Sequence, residues 1–144
     1  MPARVVIDTN VLLDLWLFDD PSVRPLRQAL ESGRARALRS AECDAEFADV
    51  LGRSRFRLDP AARDHVLARW AACSEPIGGV VSAPLLCADA DDQKFLDAAF
   101  SAGAGALLTR DKLLLHLARR AAAAGMTICT PATLFPGRPG ESPG

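Results

Sequence analysis

Cysteine and histidine are too few and too scattered in this chain to build most metal or nucleophile chemistry. Cys43, Cys73, Cys87 and Cys129 are unevenly spaced with no C-x-x-C pair, which excludes a zinc ribbon or dithiol motif and predicts buried, reduced thiols. His65 and His116 are the only histidines, so a histidine-rich metal centre or a Ser-His-Asp site has almost nothing to draw on. Both read as helix-surface or packing residues. Lysine stops at Lys94 and Lys112, leaving nearly all positive charge to arginine, whose planar fork suits phosphate oxygens. No apolar run spans a bilayer. The stretch after Arg4 carries Asp8 and Asp14 in place of an uninterrupted leader core and cleavage site, so the chain reads as cytoplasmic, with no membrane partner.

What is present is an ordinary globular balance. The 144 residues are 49% apolar and 24% charged, enough for one core and one domain, expected over 1–135. The Pro/Gly-rich end, 136–144, is expected to be a disordered tail. Arg4 to Asp8 reads as the first strand, followed by a helix from Val11 that Asn10 can cap. A second helix, Val23 to Ser32, closes at Gly33, and a short strand follows from Ala35 to Leu38. Ser40 caps the most legible helix, Ala41 to Arg53, with Cys43, Phe47, Val50 and Leu51 on one stripe. Arg53 to Arg57 is a basic exit loop, and Pro60 opens a helix reaching Cys73. A short strand is expected around Gly79, Val80 and Val81. Asp89 to Asp92 leads into a helix through Phe100, closed by Gly103, and Ala104 to Thr109 forms the next strand. Asp111 then begins a helix to Ala124, Gly125 stops it, and Met126 to Cys129 is the last strand. This alternation implies an α/β fold, a three-layer α/β/α sandwich on a central parallel sheet of about five strands.

Two of those strands end alike. Val5 to Asn10 and Ala106 to Asp111 each read as a buried strand stopping at an aspartate beside a threonine. In an open parallel sheet the carboxyl ends of the strands form the ligand crevice, so Asp8 and Asp111 are expected to face one site. Carboxylates held that close raise each other's pKa unless a cation neutralises them. Helical geometry sorts the other acids. Asp92 shares an inward arc with Phe95, Leu96 and Ala99, whereas Asp97 points away, Asp91 sits at the stripe's edge and Asp89 precedes the helix. Glu46 borders the stripe of Cys43 and Val50, with Glu42 and Asp49 further toward solvent. Plainer readings exist for each: Asp8, Asp92 and Asp111 as caps, and Glu46 as a boundary residue paired to an arginine.

The same residues resemble the PIN domain family, and within it the VapC-like toxin ribonucleases of prokaryotic toxin-antitoxin pairs. The resemblance runs from Val6 to Pro131. It rests on Val6 to Asp14, on Glu46 with Val50-Leu51 and Arg53 to Phe56, on Asp89 to Ala99, on Leu107 to Leu114, and on Thr130-Pro131. It implies that Asp8, Glu46, Asp92 and Asp111 bind metal, with Asn10 and Thr109 as supporting polar groups. Asp89, Asp91 and Asp97 also resemble acids found there in some members and could share a ligand role. Oxygen-only ligands favour Mg²⁺ or Mn²⁺ over zinc. The implied activity is metal-dependent hydrolysis of single-stranded or structured RNA by a homodimer that partners a small antitoxin protein. Setting those four acids aside turns a net charge of −1 into +3. Arg53, Arg55, Arg57, Arg110 and Lys112 then stand as phosphate contacts.

Two other enzyme or signalling classes use similar parts. A receiver-like signalling domain also pairs a strand-end aspartate with a threonine and Mg²⁺, but needs an adjacent acid pair after its first strand. Here Thr9-Asn10 follows Asp8. A D-x-D phosphatase fails because position 10 is Asn. A PIN scaffold acting only as a binding module is the remaining alternative, against which the intact acid quartet argues.

Overall fold

Two short runs that are apolar on both faces make the middle of the sheet. β1 (Ala3–Ile7) sends Val5 and Ile7 to one face and Val6 to the other; β4 (Ala106–Leu108) divides Ala106 and Leu108 from Leu107 in the same way. Strands of this kind need helices on both sides. The structure, a computed structural model, describes residues 2–137. β2 (Ala35–Arg39), β3 (Ser74–Pro76) and β5 (Thr127–Cys129) complete a five-stranded sheet of order β3-β2-β1-β4-β5, every pair parallel.

The first helical layer contains α1 (Thr9–Trp16), α2 (Arg24–Glu31) and α4 (Pro60–Ala72), which bury Leu15, Trp16, Leu26, Leu30, Val66 and Trp70 on the face of Val5 and Ile7. The opposite layer contains α5 (Gln93–Ala102), α6 (Lys112–Leu115) and α7 (Ala118–Ala123), with Phe95, Leu96, Leu114 and Ala121 against Val6 and Leu107. Each large side chain so buried contributes roughly 1.5–3 kcal/mol relative to exposure. α3 (Ala41–Leu51) gives Phe47, Val50 and Leu51 to the first cluster and Cys43 to the second. A helix serving both layers has its middle, Glu46, near the border between them. The sheet grows from β1 outward to β3, then reverses to β4 and β5, which makes the carboxyl ends of β1 and β4 its switch point.

Several boundaries correct the reading from sequence. The first helix starts at Thr9, and its N-cap is Asp8 rather than Asn10, because Asp8 is extended (φ −72°, ψ 162°) and its carboxylate accepts from the Val11 amide. The expected strand around Gly79 to Val81 is absent; β3 lies earlier, where Ser74 to Pro76 pair with Ala37 to Arg39. Proline there suits an edge position. The irregular segment that follows is instead stitched to α5 by side chains: the Val81, Ala83 and Cys87 amides donate to Ser101, Asp97 and Gln93 at 2.9, 2.8 and 2.7 Å. The expected helix from Asp111 to Ala124 is broken at His116 and Leu117, where a tight turn lets both Leu114 and Leu117 reach the second cluster. α8 (Pro131–Leu134), capped by Thr130, is not predicted by the pattern. From residue 138 on, the expected tail lies outside the described residues. No helix among the described residues is long and apolar enough to cross a membrane.

Candidate active site

The switch point brings Asp8, directly after β1, to the same edge as Asp111, three residues after β4. Glu46 comes from the middle of α3, and Asp92 from the junction of a single 3₁₀ turn (Ala90–Asp92) with α5. These four acids, with Thr9, Asn10, Val50, Arg53 and Phe95, line one cleft of about 170 Å³. A larger hollow of about 260 Å³ beside Trp16, Leu30 and Cys73 has Glu31 as its one carboxylate, so the carboxylates concentrate in the smaller one.

The two strand-end acids are joined through Thr109. Asp8 is 4% exposed; one oxygen accepts from the Val11 amide at 2.9 Å and the other from the Thr109 hydroxyl. That hydroxyl, fully buried, accepts in turn from the Asp111 amide at 2.9 Å. Desolvation raises the Asp8 carboxyl above its ordinary value; Thr109 and Val11 oppose the shift and Asp111 adds to it. The Asp111 carboxylate caps α6, accepting from the amides of Leu113 and Leu114 at 2.8 and 3.3 Å.

The two helix-borne acids differ. Glu46 accepts from the Thr9 hydroxyl on one oxygen and from the Lys94 ammonium, at 2.9 Å, on the other. Its expected arginine partner is therefore a lysine. Burial alone would lower Lys94, but the hydrogen bond and charge of Glu46, with Cys43 and Glu42, raise it above the usual lysine value. Sequence reasoning passed Lys94 over, although its place two residues after Asp92, in a chain with only two lysines, was the available signal. Asp92 occupies the N-cap position of α5 without making a capping bond, and its Oδ2 is buried with no hydrogen-bond partner. Desolvation first, then the charges of Asp111, Asp89 and Asp8, push its carboxyl up to about 6 against the pull of Lys94.

An oxygen-only donor set and a carboxylate oxygen left without a partner fit a hard divalent cation. Among the described residues no three Asp, Glu, His or Cys side chains stand as a ready-made cage, because Glu46 is turned to Thr9 and Lys94 and the strand-end acids serve as caps. Burial raises the thiols of Cys43, Cys73, Cys87 and Cys129, Cys73 to about 11, which leaves them poor nucleophiles and ligands. His65 and His116 are exposed.

The remaining candidates fall in different places. Asn10 and Arg53 line the cleft. Arg55 lies over the Phe56 ring, Arg57 ends a 3₁₀ turn (Ser54–Phe56) with φ 52°, and Lys112 is exposed in the first position of α6. Arg110 pairs with Asp14 and donates to Ser22. Asp89 accepts from the Asp91 amide at 2.9 Å, the exposed Asp91 offers its carbonyl to Lys94, and Asp97 accepts from Ala83 and Gln93 in the loop attachment.

Compared with known proteins, the chain matches no curated relative. One family model, described as PIN domain, matches residues 4–113, which include all four acids of the cleft.

Proposed function

The chain belongs to the PIN domain family, and from that premise we propose that it is a Mg²⁺- or Mn²⁺-dependent endoribonuclease acting as the toxin of a toxin-antitoxin pair. PIN domains are nucleases in general and generally use divalent metal ions. The observation that carries the reading is the convergence of Asp8, Glu46, Asp92 and Asp111, from four separate segments, on one cleft. Seventeen basic residues against eighteen acids leave the surface outside that cleft mildly positive, as a polyanionic substrate requires.

In this reading Asp8, Glu46, Asp92 and Asp111 would hold the ion, which when bound would supply an activated water and charge neutralisation at the scissile phosphate. Asp8 contributes a fixed position, since its two hydrogen bonds leave it no freedom to swing. Thr109 keeps Asp8 and the Asp111 backbone in register. Asn10 and Arg53, on the cleft wall, orient the phosphodiester, while Arg55, Arg57, Arg110 and Lys112 attract the flanking backbone. A homodimer and a small antitoxin covering the acidic groove, which rest on the family resemblance alone, and a cytoplasmic site of action complete the proposal.

The test is cleavage of a labelled single-stranded RNA by the purified chain with Mg²⁺, Mn²⁺ or chelator. The expected result is cleavage only with the ion, together with a higher melting temperature at millimolar ion. Absence of both would overturn the reading in favour of a binding module.

A further inference from the structure

Glu46 is the one acid of the cleft whose two oxygens are both taken by side-chain donors, and one of those donors is a cation. The Lys94 side chain is 12% exposed. Its ammonium lies 2.9 Å from Glu46 Oε1, donates to the Asp91 carbonyl, and sits 5.4 Å from the centroid of the Phe95 ring. An ammonium this far out of water needs a counter-charge, and Glu46 supplies it. The same bond engages an oxygen that a shared ion would need, and among the described residues no three acids stand as a ready-made cage.

We propose that Lys94 is a positioning residue, an internal monovalent cation that parks Glu46, so that a divalent ion completes its site only by taking Glu46 from it. The inference rests on the reading of the cleft as a metal site. It follows from linkage: if the Lys94–Glu46 pair must be given up when the ion binds, the strength of that pair is subtracted from the ion's affinity. Lys94 therefore sets the ion concentration at which the cleft becomes complete. In the free protein it neutralises an acid that would otherwise repel its neighbours.

The experiment measures Mn²⁺ affinity calorimetrically in the metal-free wild type, Lys94→Met, Lys94→Arg, Glu46→Gln and the double variant Lys94→Met/Glu46→Gln. Methionine keeps the length of the stem over Phe95 and removes the charge. The expected outcome is Mn²⁺ binding on the order of tenfold tighter in Lys94→Met, wild-type affinity in Lys94→Arg, and no gain from Lys94→Met once Glu46 is Gln. Unchanged or weaker binding in Lys94→Met overturns the proposal, as does a gain of equal size in the Glu46→Gln background. Lys94→Gln, measured in parallel, should bind Mn²⁺ more tightly in the same way, and takes the place of Lys94→Met should that variant fold poorly. A wild type that binds no Mn²⁺ overturns the metal reading and this proposal together; a wild type that binds it, with Lys94→Met no tighter, overturns this proposal alone.

Discussion

Asp8 and Asp92 carry the same functional group into the same cleft, and their surroundings are opposite. Both oxygens of Asp8 are held, one by the Val11 amide and one by Thr109, so the carboxylate is part of the frame that joins β1 to α1. Asp92 has a buried oxygen with no partner and a carboxyl raised to about 6 by burial and by Asp111, Asp89 and Asp8. The contrast separates two tasks that a metal site needs. A held acid fixes where an ion can sit. An unheld one supplies the incentive for it to come, because a cation relieves a repulsion that folding has imposed.

The most severe test of that contrast is Asp8→Asn. RNA cleavage in Mn²⁺ should fall by more than about a hundredfold, since even the outer partners of a metal site are commonly worth ten- to a hundredfold. The variant should remain folded, because asparagine keeps an acceptor for the Val11 amide. Wild-type turnover on labelled RNA would remove Asp8 from the site.

Asp92→Asn should impair cleavage comparably and yet raise stability, which is where the two acids part. The ordinary value of the Asp92 carboxyl is 3.8 and its folded value about 6. Between those values the folded chain holds a proton that the unfolded chain has released, so this group makes stability fall as pH rises across the window and leaves the full deficit above pH 6. Metal-free Asp92→Asn should therefore melt above wild type at pH 7.5, with the gap closing toward pH 4. At Asp8 the same relief is offset by the acceptor that Thr109 loses, so its melting point should move less. An equal rise in both, followed by differential scanning calorimetry across pH, would erase the distinction.

The smallest effect on cleavage belongs to Asp97→Asn, which should keep activity within about twofold. Its carboxylate holds the Ala83 amide at 2.8 Å and the Gln93 side chain at 3.0 Å. Asparagine keeps the acceptor but loses its charge, so the weaker bond should appear instead as modestly faster hydrogen exchange at Ala83, reporting a loosened 77–89 segment. A cleavage defect matching that of Asp92→Asn would move Asp97 into the cleft.

What could be read from the sequence was whatever local pattern and long apolar runs decide. β1 and β4 announce themselves because no surface strand carries Val5-Val6-Ile7 or Ala106-Leu107-Leu108, and Ser40 with the Cys43, Phe47 and Val50 stripe makes α3 legible. Helix phase alone separated Asp92 from Asp97. The misses share a cause in that the deciding contact lies far off in the chain. β3 is chosen by the exposed side of β2 rather than by its own weak propensity, and Val81 is fastened through both its amide and its carbonyl by Ser101 from α5. The split between α6 and α7 serves a packing need of Leu114 and Leu117 that no periodicity records. Lys94 is invisible as a partner of Glu46 because 48 residues separate them.

The bond between Thr109 and Asp8 closes a span of 101 residues, and a ribosome makes proteins from one end. For much of its synthesis the chain carries Asp8 and Glu46 beside a β1 whose β4 side stays open, an unpaired edge that is a liability in any growing chain. Thr109 and Asp111 arrive together with β4, seal that edge and bring the last carboxylate to the cleft in a single event. A cleft that needs all four carboxylates is thus incomplete until the sheet itself is nearly finished.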